Sequence, residues 1–397
     1  MIDLSRHLDA LVAPLRPGEL LLPGIRFVGA SAELGLRLSF RSDRSDHGEL
    51  HVEVEPRAAG RPFAAKTERL LLSYRTGAKR APLPARLGVT VCEAVARLVA
   101  SNEHAVLERL RVEAQAAVER DAGPTRIREI SGGALLREAG RPHERHYTLS
   151  PYVGCLIGCR FCYAQSRVAL TRALAGLPER PWGSFVDARV DAPAVLAGEL
   201  SARPPRPLKF CPIVSDPYHA LERTLRLTRR CLEVIGEAGP GWPTLVLTRS
   251  AGILDDLELL ARLPRAYVGV SLPTIDDDVR RHFEPRAASV SARLDVLARA
   301  RALGLRTFAI VQPLLPGPVP PLAAALAQVV GSVRIDVLRG VQGAGDQFED
   351  PRYALAIADD WQRARAQELA AALTERGIGL WPDELPPELT ERAGARA

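Results

Sequence analysis

The 397-residue sequence predicts an α/β protein, an incomplete (β/α)6 TIM-like barrel preceded by an N-terminal α+β domain. Three observations predict it. From Tyr147 onward, six short apolar runs (TLSPYV, LKFCPIV, TLVLT, AYVGVSL, TFAIV and VRIDVL) alternate with amphipathic stretches, the texture of βα units and parallel strands. Two of those stretches, HALERTLRLTRRCLEVIGEAG and SARLDVLARARALG, stop at glycine, as helices commonly do. Ahead of them, residues 21 to 76 alternate apolar and polar in GIRFVGA, LGLRLSF, GELHVEVEP and RLLLSYR, with turn-rich pieces such as RSDRSDHG between, which reads as a small antiparallel sheet.

The remaining elements follow in order. Val91, Val95 and Leu98, then Val106, Leu110, Ala114 and Ala117, recur at three- to four-residue spacing and predict a helix from about Val89 to Arg120. The expected organisation is an α+β domain over 1–120, a Gly-, Pro- and Arg-rich connector over 121–145, the barrel over 146–340 and a C-terminal helical extension over 341–397. No internal repeat interrupts this plan.

Hydrophobic residues make up 47% and charged residues 25%, which excludes a wholly disordered chain. All but three of the 53 basic residues are arginine, against 47 acids, a net charge of +6. The basic residues are interleaved with acids, as in RLRVEAQAAVERD, which reads as a solvated surface rather than a nucleic-acid footprint. The first twenty residues carry charges throughout and lack a signal-peptide core. The uncharged run between Arg306 and Arg334 is long enough for a membrane span, but Pro313, Pro316, Pro318, Pro320 and Pro321 break it into strand, loop and short helix. The expectation is a cytoplasmic protein.

Six cysteines are present, and Cys155, Cys159 and Cys162 fall within eight residues in SPYVGCLIGCRFCYA. Such clustering in a large chain without an export signal points to metal binding rather than disulfides. Three thiolates in a short loop can hold three irons of a 4Fe-4S cluster and leave the fourth iron open, while Gly154 and Gly158 relax the backbone around an inorganic core. Zinc is the competing reading; it wants four ligands, and His143 or His146 would have to supply the fourth. Cys92 and Cys231 lie on helical apolar faces and read as small core residues.

The Cys-x3-Cys-x2-Cys spacing is the signature of the radical SAM superfamily, and the chain resembles that family from about Tyr147 to Val337. Within it, SPYVGCLIGCRFCYA, VSDPYHALERTLRLTRRCLEVI, LTRSAGILDDLELL, VGVSLPTIDDDVRRHFEPRAASVSARLDVLARARALG and IVQPLLPG resemble the spore photoproduct lyase-like subfamily. The resemblance implies a barrel of the radical SAM type. It further implies one 4Fe-4S cluster whose free iron chelates S-adenosylmethionine (SAM), an electron donor such as flavodoxin or ferredoxin, and reductive cleavage to a 5′-deoxyadenosyl radical. By the same resemblance Ser215 and Asp216 receive the SAM amino group, and Arg249, flanked by Thr248 and Ser250, faces the carboxylate in place of a more usual lysine. Ser271 and Thr274 lie near the ribose, Glu284 and Arg286 follow in the same phrase, and Phe161 and Tyr163 pack near adenine. His219 reads as an exposed loop histidine.

The lyase needs a thiol one or two residues before its Ser-Asp pair, and here those places are Ile213 and Val214. Cys211, a little earlier on the same strand, is a weak candidate donor. Two classes of function follow: a radical SAM enzyme acting on a non-DNA substrate, such as a peptide or natural-product precursor, or a nucleic-acid-acting repair enzyme. The first is favoured.

Overall fold

The computed structural model describes residues 4–390 apart from 32–35, 44–48, 57–64, 68–69, 77–84, 116–117, 123–124, 142, 211–213, 339–340 and 342. Two compact units emerge, Ile2–Val118 with Ser166–Arg180, and Glu119–Gln165 with Pro181–Ala397.

In the first unit, strands Leu20–Leu22, Ile25–Ser31, Arg37–Ser42, Glu49–Pro56, Leu70–Thr76 and Ala65–Lys66 form, in that spatial order, an antiparallel sheet. Side chains alternate across a pleated strand, so Leu38 and Phe40, Leu50, Val52 and Val54, and Leu70 and Leu72 share one buried face. Helix Ala85–Gln115 covers it with Val91, Val95 and Val99, and Cys92 is buried beside them. The helix stops five residues before Arg120 because Val118–Ala122 is a strand. A short helix, Leu4–Leu11, adds Leu8 and Leu11 to the same core.

In the second unit the strands β1 (His146–Leu149), β2 (Leu208–Phe210), β3 (Thr244–Thr248), β4 (Ala266–Ser271), β5 (Arg306–Val311) and β6 (Ser332–Ile335) pair in sequence order, all parallel. These are the six runs read from the sequence. A seventh, β7 (Gly379–Leu380), extends the sheet beyond β6, and Arg137–Ala139 pairs antiparallel with β1 at the other edge. Helices Leu227–Glu237, Leu257–Arg262, Val290–Ala302, Val319–Val329 and Asp359–Thr374 connect the strands. The result is an open, partial barrel.

Both faces of the sheet are buried, which is why its strands read as apolar runs. Val246, Val268, Val270, Ala309, Val311 and Val333 meet the helical layer. Leu245, Leu247, Tyr267, Phe308 and Ile310 point to the inner face, where Trp381 and Leu385 of the C-terminal segment cover them. Gly269 is required here, because a Cβ at that position would run into the Phe308 ring. Lys209 also points inward, and its ammonium is held by the carbonyl and carboxylate of Glu384, each at 2.8 Å.

Residues 121–145, read as a connector, carry strand structure. Thr125–Ile130 lies parallel to Phe185–Arg189, which pairs in turn with the two-residue strand Tyr152–Val153. The run between Arg306 and Arg334 becomes β5, a loop and helix Val319–Val329. Among the described residues no helix is long and apolar enough to cross a membrane.

Candidate functional site

The three cysteines lie on the loop that leaves Tyr152–Val153 and passes over the C-terminal ends of β2 and β3. Cys155 and Cys159 are buried, Cys162 is half-buried, and none is in a disulfide. Two glycines let the loop turn. Gly154 (φ +85°) has no room for a side chain, since a Cβ would stand 2.6 Å from the Phe185 carbonyl oxygen, and Gly158 takes φ +65°. The loop is tied down at several points. The Gly154 N–H donates to the Val214 carbonyl (3.0 Å), the Ser215 hydroxyl donates to the Gly154 carbonyl (2.6 Å), and the Asp216 N–H points at Cys155 Sγ (3.5 Å).

Asp216 knits the strand ends together. Its carboxylate accepts from the Tyr218 N–H (2.9 Å), the Thr248 hydroxyl (2.6 Å) and the Arg249 N–H (2.7 Å). Burial pushes its pKa up, and those three donors pull it back. Thr248 in turn accepts from the Ser250 N–H, and Ser250 caps the short helical turn Ala251–Asp256.

Arg249 is the main cation at the site. Its Nε lies 2.9 Å from Glu284, its Nη2 donates to the Gln312 carbonyl (3.1 Å), and its guanidinium sits 5.5 Å from the centre of the Phe161 ring. Glu284, fully buried, also pairs with Arg293 at 2.8 Å, and Arg293 bonds the Ser271 carbonyl at 2.7 Å. Burial opposes the charge on Arg249, but its neighbours Cys159 and Glu284 outweigh that and push its pKa up. One nitrogen of that group, Nη1, is buried with no partner. Burial pushes the Cys155 thiol up to about 12 and the Cys159 thiol well above its usual value, with Arg249 working against the second shift.

The expected residues thus divide. Asp216, Thr248, Arg249, Ser250 and Glu284 form one network at the strand ends. Ser271 joins it through Arg293, whereas the Thr274 hydroxyl bonds the Pro316 carbonyl (2.7 Å). Phe161 packs in an apolar cluster with Phe283, Phe348 and Tyr353 beneath the cysteine loop, and Tyr163 is half-buried. Arg286 is engaged with loop carbonyls. His219, expected on an exposed loop, is instead 1% exposed; its Nδ1 accepts from the Leu221 N–H, and its ring meets Tyr152 edge-on at 4.5 Å. The turn after Asp216 folds back under the strand, so burial lowers its pKa to about 3 and keeps it neutral. Cys211 and Ile213 lie outside the described residues, and Val214 is half-buried. Sequence reading missed Arg293, which sits in SARLD among the mixed polar and apolar residues of an ordinary amphipathic helix, and Gly183, which carries no side-chain signal.

The donor set fits an iron–sulfur cluster better than a single zinc. Among the described residues, His143, Glu144 and Asp383 are the set of three ligand-type side chains whose ligand atoms lie within 4.8 Å of one another, and the three cysteines are not such a set. A tetrahedral zinc with bonds of about 2.3 Å would draw its sulfurs closer than that. His143 lies by Asp383 (3.8 Å), and His146 faces the Glu144 carbonyl (2.9 Å). A buried guanidinium with a spare donor beside three cysteines outside any disulfide also suits an anionic group.

Fold and site together define a partial parallel barrel with a cysteine-lined centre at its C-terminal edge. Residues 149–318 match the family model of the Radical SAM superfamily. The chain is 24% identical over 170 residues to an uncharacterized protein of Methanocaldococcus jannaschii, covering 43% of this chain and 61% of that one. It is 29% identical over 168 residues to the Radical SAM Nalpha-GlyT isomerase of Pseudomonas phage M6, covering 42% and 33%. A solved spore photoproduct lyase variant is similar at 16% identity and a TM-score of 0.48, over 64% of this chain and 80% of that one. The chain spans about three-fifths of the length of the first curated relatives it matches, 61% and 62%.

Proposed function

We propose that the protein is a radical SAM enzyme that carries one 4Fe-4S cluster on Cys155, Cys159 and Cys162 and acts on a non-DNA substrate, such as a peptide or natural-product precursor. The observation that carries the reading is the loop of three cysteines, none in a disulfide, laid over the strand ends beside Arg249, which holds an unpartnered buried nitrogen. When bound, the cluster and SAM supply reductive cleavage of the sulfonium and a 5′-deoxyadenosyl radical. The chain's own work is to bind, orient and shield. Arg249 is placed to pair with a carboxylate through its free Nη1, and a guanidinium does so with more directional control than an ammonium. Asp216, held by three donors, keeps an acceptor site for an amino group while fixing the ends of β2 and β3. In this reading Ser271 and Thr274 serve the ribose, and Phe161 and Tyr163 the adenine side. The apolar cluster around Phe161, Phe283 and Phe348 keeps water from the loop. An electron donor of the flavodoxin or ferredoxin type, in the cytoplasm, completes the system.

The substrate reading rests on Val214, whose aliphatic side chain cannot return a hydrogen atom as a thiol does. Anaerobic protein reconstituted with iron and sulfide, reduced and given SAM, is expected to release methionine and 5′-deoxyadenosine slowly without substrate. Absence of both products from iron-loaded protein overturns the cofactor reading. The same mixture with a dinucleotide spore photoproduct is expected to yield no restored thymine, and DNA is expected not to accelerate SAM cleavage. Multiple-turnover repair would replace the non-DNA reading with a repair enzyme and make Cys211 the donor to test.

A further inference from the structure

Arg286 follows Glu284 in the sequence but does a different job. Glu284 is fully buried, whereas Arg286 is an exposed residue whose guanidinium reaches back to backbone carbonyls. There its Nε donates to the Leu156 carbonyl, in the middle of the cysteine loop, and its Nη2 donates to the Gly183 carbonyl at 2.9 Å. The slot is made by two buried glycines with positive φ, Gly158 at +65° and Gly183 at +91°. A Cβ on either would run into Arg286 Nη2. The two backbones are also close, since a Cβ at Gly183 would lie 3.1 Å from the Gly158 Cα. Any L side chain is disfavoured twice at each place, by φ and by space. One guanidinium therefore bridges the cysteine loop to the segment ahead of strand Phe185–Arg189, using its fixed fork of donors.

We propose that Arg286 is a positioning residue, a latch that holds the cysteine loop in its ligating shape, with Gly158 and Gly183 as the slot, and that it is not a SAM contact. The inference rests on the cluster reading above and deepens it. Without the latch, Leu156 and Gly183 lose charge-assisted bonds and the loop opens locally while the barrel stays folded. A lysine cannot span both carbonyls from one ammonium, so it restores the latch only in part.

The test uses the full chain in two states. In metal-free protein, iodoacetamide labelling mapped by mass spectrometry reports the opening of the loop at Cys155 and Cys159, and this readout does not require a cluster. Arg286→Ala is expected to label about five- to thirtyfold faster, the range that one or two kcal/mol of lost local stability produces, with Arg286→Lys in between and an unchanged melting temperature for the barrel. Methylguanidinium, which fits the vacated slot, is expected to slow the labelling of Arg286→Ala again. In reconstituted protein, Arg286→Ala is expected to lose iron to a chelator faster by a similar factor, while the fraction that keeps its cluster binds SAM as the unaltered protein does. Unchanged labelling overturns the latch, as does labelling that rises only with global unfolding and is not rescued. Normal iron retention with weakened SAM binding would instead make Arg286 a SAM ligand. If the unaltered protein takes up no cluster, the cofactor reading fails, and the labelling series still decides the latch.

Discussion

Two charge clusters lie on the parallel sheet, and they are built from the same kinds of residue to opposite ends. On the inner face, Lys209 and Arg334 converge on Glu384, and Arg334 also pairs with Asp336. At the strand ends, Arg249 and Arg293 converge on Glu284, with Asp216 alongside. Each cluster sets two cations against two carboxylates. The first is closed: its groups meet one another and the chain backbone. The second leaves a nitrogen of Arg249 and an oxygen of Glu284 buried without a hydrogen-bond partner. The Arg249–Glu284 approach of 2.9 Å is an ion pair whose angle fails as a hydrogen bond. Buried polar groups usually find partners, so the spare donor of Arg249 supports the anion-binding role proposed for it, while the closed cluster on the inner face fastens the fold.

The strongest way to break the comparison is at the thiols. Cys159→Ala is expected to abolish the cluster and all SAM cleavage, whereas Cys92→Ala and Cys231→Ala keep full iron content; iron counting and electron paramagnetic resonance check this. Full iron in Cys159→Ala would remove the strand-end site from consideration. Next, Asp216→Asn is expected to weaken SAM binding by about 1.5–3 kcal/mol through loss of a charged hydrogen bond, read by equilibrium binding; unchanged affinity would leave Asp216 with a purely structural task.

On the inner face, Glu384→Gln is expected to cost about 1–3 kcal/mol of stability, a figure kept low because the Glu384 side chain is 40% exposed and partly screened, with SAM cleavage per folded molecule unchanged. Burial raises the Glu384 pKa, but Lys209 and Arg334 outweigh it and bring it down to about 2. A carboxylate so depressed stabilises the fold above its unfolded value and loses that contribution as pH falls from there towards about 2. Denaturation curves of the variant should therefore lack that acid-side loss. A smaller effect belongs to His219. Its pKa falls to about 3 on folding, so the folded state binds fewer protons and stability drops as pH goes below the unfolded value of 6.5. His219→Phe should flatten the decline between neutral pH and pH 5 in chemical denaturation; an identical slope would mean the ring is hydrated after all.

The sequence made the six parallel strands and the cysteine loop legible for a physical reason. Strands buried on both faces must be apolar throughout, and a cluster loop needs its thiols close in the chain. The strands around Thr125–Ile130 and Phe185–Arg189 were hidden because their buried positions carry charge. Arg128 and Arg189 are almost wholly buried, and Arg128 sits 3.1 Å from Asp187, its partner across the two parallel strands. Such a pair brings its opposite charges together only in three dimensions, so in one dimension it looks like a polar linker. His219 was hidden likewise, since only the folded turn after Asp216 buries it. Among the residues singled out by resemblance, Asp216, Thr248 and Arg249 share hydrogen bonds at the strand ends, while Phe161 lies in one apolar cluster with Cys155 and Cys159 and Arg286 bonds the Leu156 and Gly183 carbonyls.

The covering of the inner face by Trp381 and Leu385 has a consequence for biosynthesis. Leu245, Tyr267 and Phe308 are made long before the segment that shields them, and Lys209 waits 175 residues for Glu384. A nascent chain therefore carries an adhesive, half-neutralised sheet on the ribosome until its last helix and the strand after it have emerged. Any message that stops translation before Trp381 yields a product with this face bare, a ready substrate for chaperones and proteases rather than a shorter enzyme.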